Sequence, residues 1–275
     1  MPPSGSRDAT KSSARALDPL RDLEILRCGS GPPLLILHGP SPYHRDLPFI
    51  DGLCQSATVI APSHPGFGGS PRPEHIDSVY DLVHLYQAVI DLLPFERISL
   101  MGLSFGGWLA AEIAVNRPPK LDRLILVDAV GIKLGGREER DILHLFNTPP
   151  RELNRASWHD PNKRPPGPFG LGWQVHLEDL SDADMVEVAR SWDALCLYGW
   201  RPHLYNPRLK FWLHRVSAPT CVIWGASDGV VSPSYGAGYA RLIPNARFEV
   251  IGEAGHHPEL ERPVEFVRCV REFLQ

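Results

Sequence analysis

The chain contains no stretch of about 18 consecutive apolar residues, which excludes a membrane-spanning helix. Positive charge is not in surplus either, since 28 Lys and Arg face 32 Asp and Glu, a formal net charge of -4 over 275 residues. Gripping nucleic acid or an anionic lipid surface needs the opposite balance, so the expected partner is small and roughly neutral. Cysteine is scarce. Cys28, Cys54, Cys196, Cys221 and Cys269 are scattered and nowhere spaced C-x-x-C. That spacing excludes a zinc site and a disulfide framework, and the reading is buried thiols in a reducing, cytoplasmic setting. The first twenty residues have no apolar run for a signal peptide and read as a flexible N-terminal extension.

Proline and glycine are plentiful instead, 28 and 24, about a fifth of the chain. This is too many for a helical bundle and implies many short connections. From residue 22 onward, short buried-strand patterns alternate with amphipathic ones. D-L-E-I-L-R-C reads as an edge strand. P-L-L-I-L-H-G, A-T-V-I-A-P-S, R-I-S-L-M-G, D-R-L-I-L-V-D, P-T-C-V-I-W-G and R-F-E-V-I-G read as buried ones. Ile76, Val79, Tyr80, Val83, Tyr86, Val89, Ile90 and Leu93 follow a helical stripe that Ser78 or Asp77 can cap. P-V-E-F-V-R-C-V-R-E-F-L opens on Pro263, which suits the first position of a helix. Such alternation predicts an α/β fold, a mostly parallel central sheet flanked by helices.

The rhythm breaks between Asp128 and Pro219, where about ninety residues carry helical patterns and no convincing strand. Ser181 followed by Asp184 marks one helix start as a variant of the capping box. Five of the seven tryptophans fall here, and R-P-P-G-P-F-G-L-G-W reads as a loop in its middle. The domain reading is therefore an extension over 1–20, a core over 21–130 and 216–275, and a helical insertion over 131–215. Most of the aromatic rings are expected to pack a small core of the insertion, and some to face whatever it covers.

Directly after R-I-S-L-M-G comes G-L-S-F-G-G, Gly102 to Gly107, and then a helical pattern. A G-x-S-x-G at a strand-to-helix turn holds its serine exposed in a strained conformation, with glycines letting the two backbones close around it. A serine hydroxyl needs a base, and the base needs a group that fixes its tautomer. Asp228 lies on the loop after P-T-C-V-I-W-G, and His256 on the loop after R-F-E-V-I-G. All three sit just past strand ends, where open α/β sheets gather their sites. Ser104 is the expected nucleophile, His256 the base and Asp228 the orienting acid. Asp128, also at a strand end, is the alternative acid. His159, His176, His203 and His214 show no metal-ligand spacing, and no metal or other cofactor is expected.

With L-L-I-L-H-G, H-P-G-F-G-G-S, G-L-S-F-G-G, W-G-A-S-D-G-V-V and A-G-H-H-P-E-L-E-R-P in place, the chain from about Leu23 to Gln275 resembles the α/β-hydrolase family. The resemblance implies that the insertion is a lid, placed after the sixth strand of the fold. It also selects His256 over His257, gives His38 a structural role in its turn, and makes His64 a shaper of its glycine-rich loop. Epoxide hydrolases and dehalogenases of this family carry Asp where this chain has Ser104, so acyl chemistry is favoured.

The oxyanion hole is expected to use the backbone N–H of Phe105. The family's second donor follows the H-G pair, where this chain has Pro40, which has no N–H. Ser41 is the substitute. Phe146, Phe169, Trp173, Trp192 and Trp200 are the expected pocket rings, suited to a mid-sized apolar acyl compound. The expected activity is ester hydrolysis through an acyl-enzyme. The alternatives are C–C bond hydrolysis of a ring-cleavage dienoate, or a ligand receptor or lyase on the same fold. A homodimer is the one protein partnership allowed for.

Overall fold

The computed structural model describes residues 18–43, 46–165, 171 and 180–275. Seven strands form one sheet: β1 (Ile25–Cys28), β2 (Pro33–Leu37), β3 (Thr58–Pro62), β4 (Ile98–Leu103), β5 (Leu121–Val127), β6 (Thr220–Gly225) and β7 (Arg247–Ile251). Each arises from one of the apolar runs read in the sequence. Their spatial order is β1-β3-β2-β4-β5-β6-β7. β1 pairs antiparallel with β3 at the edge, and every other pairing is parallel.

Among the described residues eight α-helices accompany the sheet: α1 (Pro48–Cys54), α2 (Val79–Leu92), α3 (Phe105–Val115), α4 (Pro150–Ser157), α5 (Asp182–Gly199), α6 (Pro233–Arg241), α7 (Pro258–Glu261) and α8 (Pro263–Leu274). Alternation along the strands divides the core in two. Leu35, Leu37, Leu100, Leu124, Leu126, Val222 and Trp224 pack on the face covered by α2, α3 and α6. Leu34, Ile36, Met101, Ile125, Val127 and Ile223 pack on the other, against α1 and α8. A period of two thus fills both faces, as a doubly covered parallel sheet requires.

Ser78 caps α2 in a reciprocal capping box with Asp81, and Ser181 caps α5 in the same way with Asp184. The buried face of α2 follows the expected stripe at Val83, Tyr86, Val89 and Ile90, continuing to Leu93 at its C-terminal end. Ile76 is buried ahead of the helix, which begins at Val79, and Tyr80 departs from the stripe, exposed against the His84 ring.

Between β5 and β6 the described residues hold α4, α5 and three single-turn 3-10 helices, with isolated bridges but no strand. Among the described residues five strands, β1 to β5, precede this segment. Trp158 is buried, whereas Trp200 and Trp212 are exposed.

The cysteine expectation is corrected for two residues: Cys28 and Cys54 form a disulfide with Cα atoms 5.6 Å apart. Gly29, at φ +76, lets the chain leave β1 so close to α1 that an added Cβ would lie 2.8 Å from the Cys54 Cα. That approach is tertiary, and a separation of 26 residues does not reveal it. Cys196, Cys221 and Cys269 are free. No helix among the described residues is long and apolar enough to cross a membrane.

Candidate active site

β4 delivers Ser104 to the carboxyl edge of the sheet, between β2 and β5. Its backbone sits at φ 49, ψ -112, in the region non-glycine residues avoid, and its N–H donates to Val127 O at 2.8 Å. The turn is that tight because two glycines allow it. A Cβ on Gly102 would lie 2.2 Å from Gly106 O, and one on Gly106 would lie 2.0 Å from Leu37 O. Strain held by surrounding packing at a strand end is characteristic of a functional turn.

His256 Nε2 lies 2.8 Å from Ser104 Oγ, and His256 Nδ1 lies 2.8 Å from Asp228 Oδ2. All three residues are buried. Asp228 Oδ1 also accepts from the N–H groups of Val230 and Val231, at 2.8 and 3.0 Å. A carboxylate so held can only accept, so His256 donates from Nδ1 and is left with Nε2 to accept from the serine. The three sequence-selected residues, spread over 152 positions, are thus one hydrogen-bonded chain.

Asp128 joins them from the end of β5. One ligand atom each from Asp128, Asp228 and His256 lies within 4.8 Å of the others, the geometry that could also hold a metal ion. The Nδ1–Oδ2 contact already occupies two of those atoms, which argues for the hydrogen-bonded arrangement instead.

The turns beside the nucleophile are built from neutral histidines. His38 Nδ1 donates to Gly39 O, and its Nε2 accepts from the His64 N–H. His64 Nε2 donates to His38 O, so its Nδ1 accepts from Tyr86 O–H. Burial holds His38 well below the usual imidazole range and lowers His64 to about 4. The structural role expected for both matches these contacts.

Phe105 follows the nucleophile at the start of α3, and its buried ring stacks near those of Phe67 and Tyr198. Gly39 is the residue of the H-G-P-S-P loop that meets the nucleophile, an added Cβ lying 3.2 Å from the Ser104 Cβ. Ser41, half-buried, lines a small cavity with Tyr43, His257 and Glu259. Phe146, Trp192 and Trp200 form one aromatic cluster with centroid separations of 5.5 and 5.3 Å around Phe146, joined by His203. Phe169 and Trp173 lie outside the described residues, as does His176.

Several supporting residues are not evident in the sequence. The backbone around α4 clamps both loops of the triad: Ala156 O accepts from Gly229 N–H, and Ser157 O accepts from His256 N–H at 2.7 Å. Glu261 accepts from the N–H groups of His159, Asp160 and Gly255. His257 Nε2 accepts from Leu171 N–H, while Trp158 Nε1 donates to Leu171 O. Burial lowers His257 to about 3 and raises Glu259 beside it to about 8. The only sequence signal for these roles is the density of polar residues in G-H-H-P-E-L-E-R.

A family model described as the alpha/beta hydrolase family matches residues 34–268. The chain belongs to that family. A 2-hydroxymuconate semialdehyde hydrolase from Pseudomonas sp. strain CF600 is 27% identical to this alpha/beta hydrolase over 257 residues, covering 90% of this chain and 88% of that protein. A poly(3-hydroxyalkanoate) depolymerase from Ectopseudomonas oleovorans is 27% identical over 251 residues, covering 88% and 84%. A solved meta-cleavage product hydrolase from Pseudomonas fluorescens IP01 shares the fold with a TM-score of 0.70 at 23% identity, covering 92% of this chain and 93% of that one.

Proposed function

We propose that this alpha/beta hydrolase is a cofactor-independent serine hydrolase that cleaves a carboxylic ester of a small to mid-sized apolar substrate. The observation that carries the reading is the continuous Ser104–His256–Asp228 hydrogen-bond chain at the strained strand-to-helix turn. Ser104 Oγ attacks the substrate carbonyl as His256 Nε2 takes its proton. The tetrahedral oxyanion is received by the Phe105 N–H at the start of α3, where unpaired helical N–H groups favour negative charge. Ser41 supplies the second donor, through N–H or hydroxyl, in place of Pro40. His256 then protonates the leaving alcohol. It next activates a water that hydrolyses the acyl-enzyme, while Asp228 fixes its tautomer throughout.

The segment over 131–215 acts as the lid. Tyr198 of α5 donates to Pro65 O, and Gly68 N–H donates to Ser191 Oγ, so α5 stands over the H-P-G-F-G-G-S loop beside the nucleophile. The ring cluster of Phe146, Trp192 and Trp200 is the candidate apolar surface for the acyl group.

A second reading, C–C bond hydrolysis of a ring-cleavage dienoate, is favoured by the relatives named as 2-hydroxymuconate semialdehyde hydrolases. Turnover of p-nitrophenyl esters of graded acyl length, set against such a dienoate, tests both. Ester preference, lost by at least about a thousandfold in kcat for Ser104→Ala, is the expected result. Dienoate preference moves the assignment to C–C cleavage. Tight ligand binding with no turnover of either substrate contradicts both.

A further inference from the structure

The geometry points to Asp128 as a positioning residue that stands as a neutral carboxylic acid, its Oδ2–H donated to Asp228, so that the two carboxyls carry one negative charge between them. This rests on the triad reading above and deepens it.

Asp128 is 1% exposed, and its backbone is held at φ 41 directly after β5. Its Oδ1 accepts from Gly225 N–H at 2.9 Å. Its Oδ2 is buried and, as an acceptor, meets no donor among the described residues. Asp228 has the complementary shortage. A carboxylate offers about four acceptor positions, and three are filled, by Val230 N–H, Val231 N–H and His256 Nδ1–H. A proton on Asp128 Oδ2 satisfies the orphaned oxygen and the remaining acceptor position at once.

The acidic groups acting on Asp128 are Asp228 and Glu259, and the His256 imidazole lies in the same cluster, with the His257 ring 5.2 Å from that of His256. Two carboxylates this close in a buried site do not both ionise, because each raises the cost of charging the other. Which one keeps the proton follows from the donors. Asp228 receives two backbone N–H groups and His256, whereas Asp128 receives one N–H, so Asp228 is the anion. Burial first, and the Asp228 charge second, hold the Asp128 carboxyl well above the usual carboxylate range. The O–H from Asp128 fixes the rotation of the Asp228 carboxylate and moderates the negative charge felt by His256.

The test compares Asp128→Ala with Asp128→Asn by the pH profile of kcat/KM on an ester the wild type turns over. Asp128→Ala removes the donor, so that Asp228 faces His256 with its negative charge unmoderated. The acid limb is expected to move to higher pH by about one unit, so that kcat/KM measured below the limb falls on the order of tenfold. Asp128→Asn replaces O–H by N–H and keeps an oxygen for Gly225, so it is expected to restore both. An acid limb that falls by about a unit in Asp128→Asn would show that an ionised Asp128 had been neutralised, and overturns the inference. So does a folded Asp128→Ala with an unmoved limb. The infrared spectrum of the resting protein at neutral pH decides independently of activity. A carboxylic C=O stretch removed by Asp128→Asn, and separable from that of Glu259 by Glu259→Gln, is expected, and its absence overturns the inference. If Ser104→Ala leaves turnover intact, the triad reading fails while the infrared band still reports on Asp128.

Discussion

At the scale of single residues, the site is ringed by imidazoles wired for the neutral form. His64 spends its one N–H on His38 O and its one lone pair on Tyr86 O–H. Protonation would put two donors against that hydroxyl and carbonyl in a buried place, which is why burial lowers it to about 4. Its unfolded value is higher, so its contribution to stability is present above about 6.5 and is lost as the pH falls through about 4. In urea unfolding, the stability advantage of the wild type over His64→Gln is expected to shrink by about 3 kcal/mol between pH 7 and pH 4. A constant difference would mean that His64 titrates normally. Glu259 runs the other way: held up to about 8, its contribution is present below about 4.5 and is lost as the pH rises. Stability is therefore pulled in opposite directions by two buried groups, His64 packed against Phe105 and Glu259 three residues after His256.

At the scale of elements, the nucleophile depends on how closely β2, β4 and α3 approach. Gly106→Ala would place a methyl 2.0 Å from Leu37 O. Backbone cannot yield there as a flexible side chain would. A loss of about 3 kcal/mol in unfolding free energy is expected, with the turn displaced and activity lost with it. An unchanged urea midpoint would show that the approach is looser than the geometry describes. These elements were legible in the sequence because their signals are local: unbroken apolar runs for β2, β4 and β6, Ser78 and Ser181 with acids three residues on, and a glycine on each side of Ser104. The remainder was not. The Cys28–Cys54 pairing, the hold of His257 on Leu171 and the grip of Glu261 on the His159 and Asp160 N–H groups join positions 26, 86 and about a hundred residues apart. No periodicity encodes such contacts. Tyr80, apolar enough to join the α2 stripe, instead faces solvent beside the His84 ring, which the period alone does not reveal.

At the scale of the whole molecule, the carboxyl edge of one parallel sheet collects Ser104, Asp128, Asp228 and His256 from four strands. Between β5 and β6, α4 bonds to the loops of Asp228 and His256, and α5 to the loop that carries Pro65 and Gly68. Part of the proline and glycine excess falls on this rim, in H-G-P-S-P, H-P-G-F-G-G-S and G-L-S-F-G-G. Pro40 is where the chain departs from its family's loop, which makes reactivity of the serine the point to establish first. The most direct measurement is exposure of the native protein to a fluorophosphonate, followed by mass spectrometry of the digest. One stoichiometric adduct on the peptide carrying Ser104 is expected, absent in Ser104→Ala and strongly slowed in His256→Ala. A folded wild-type protein that stays unlabelled, or is labelled at another residue with equal rate in Ser104→Ala, would contradict the assignment.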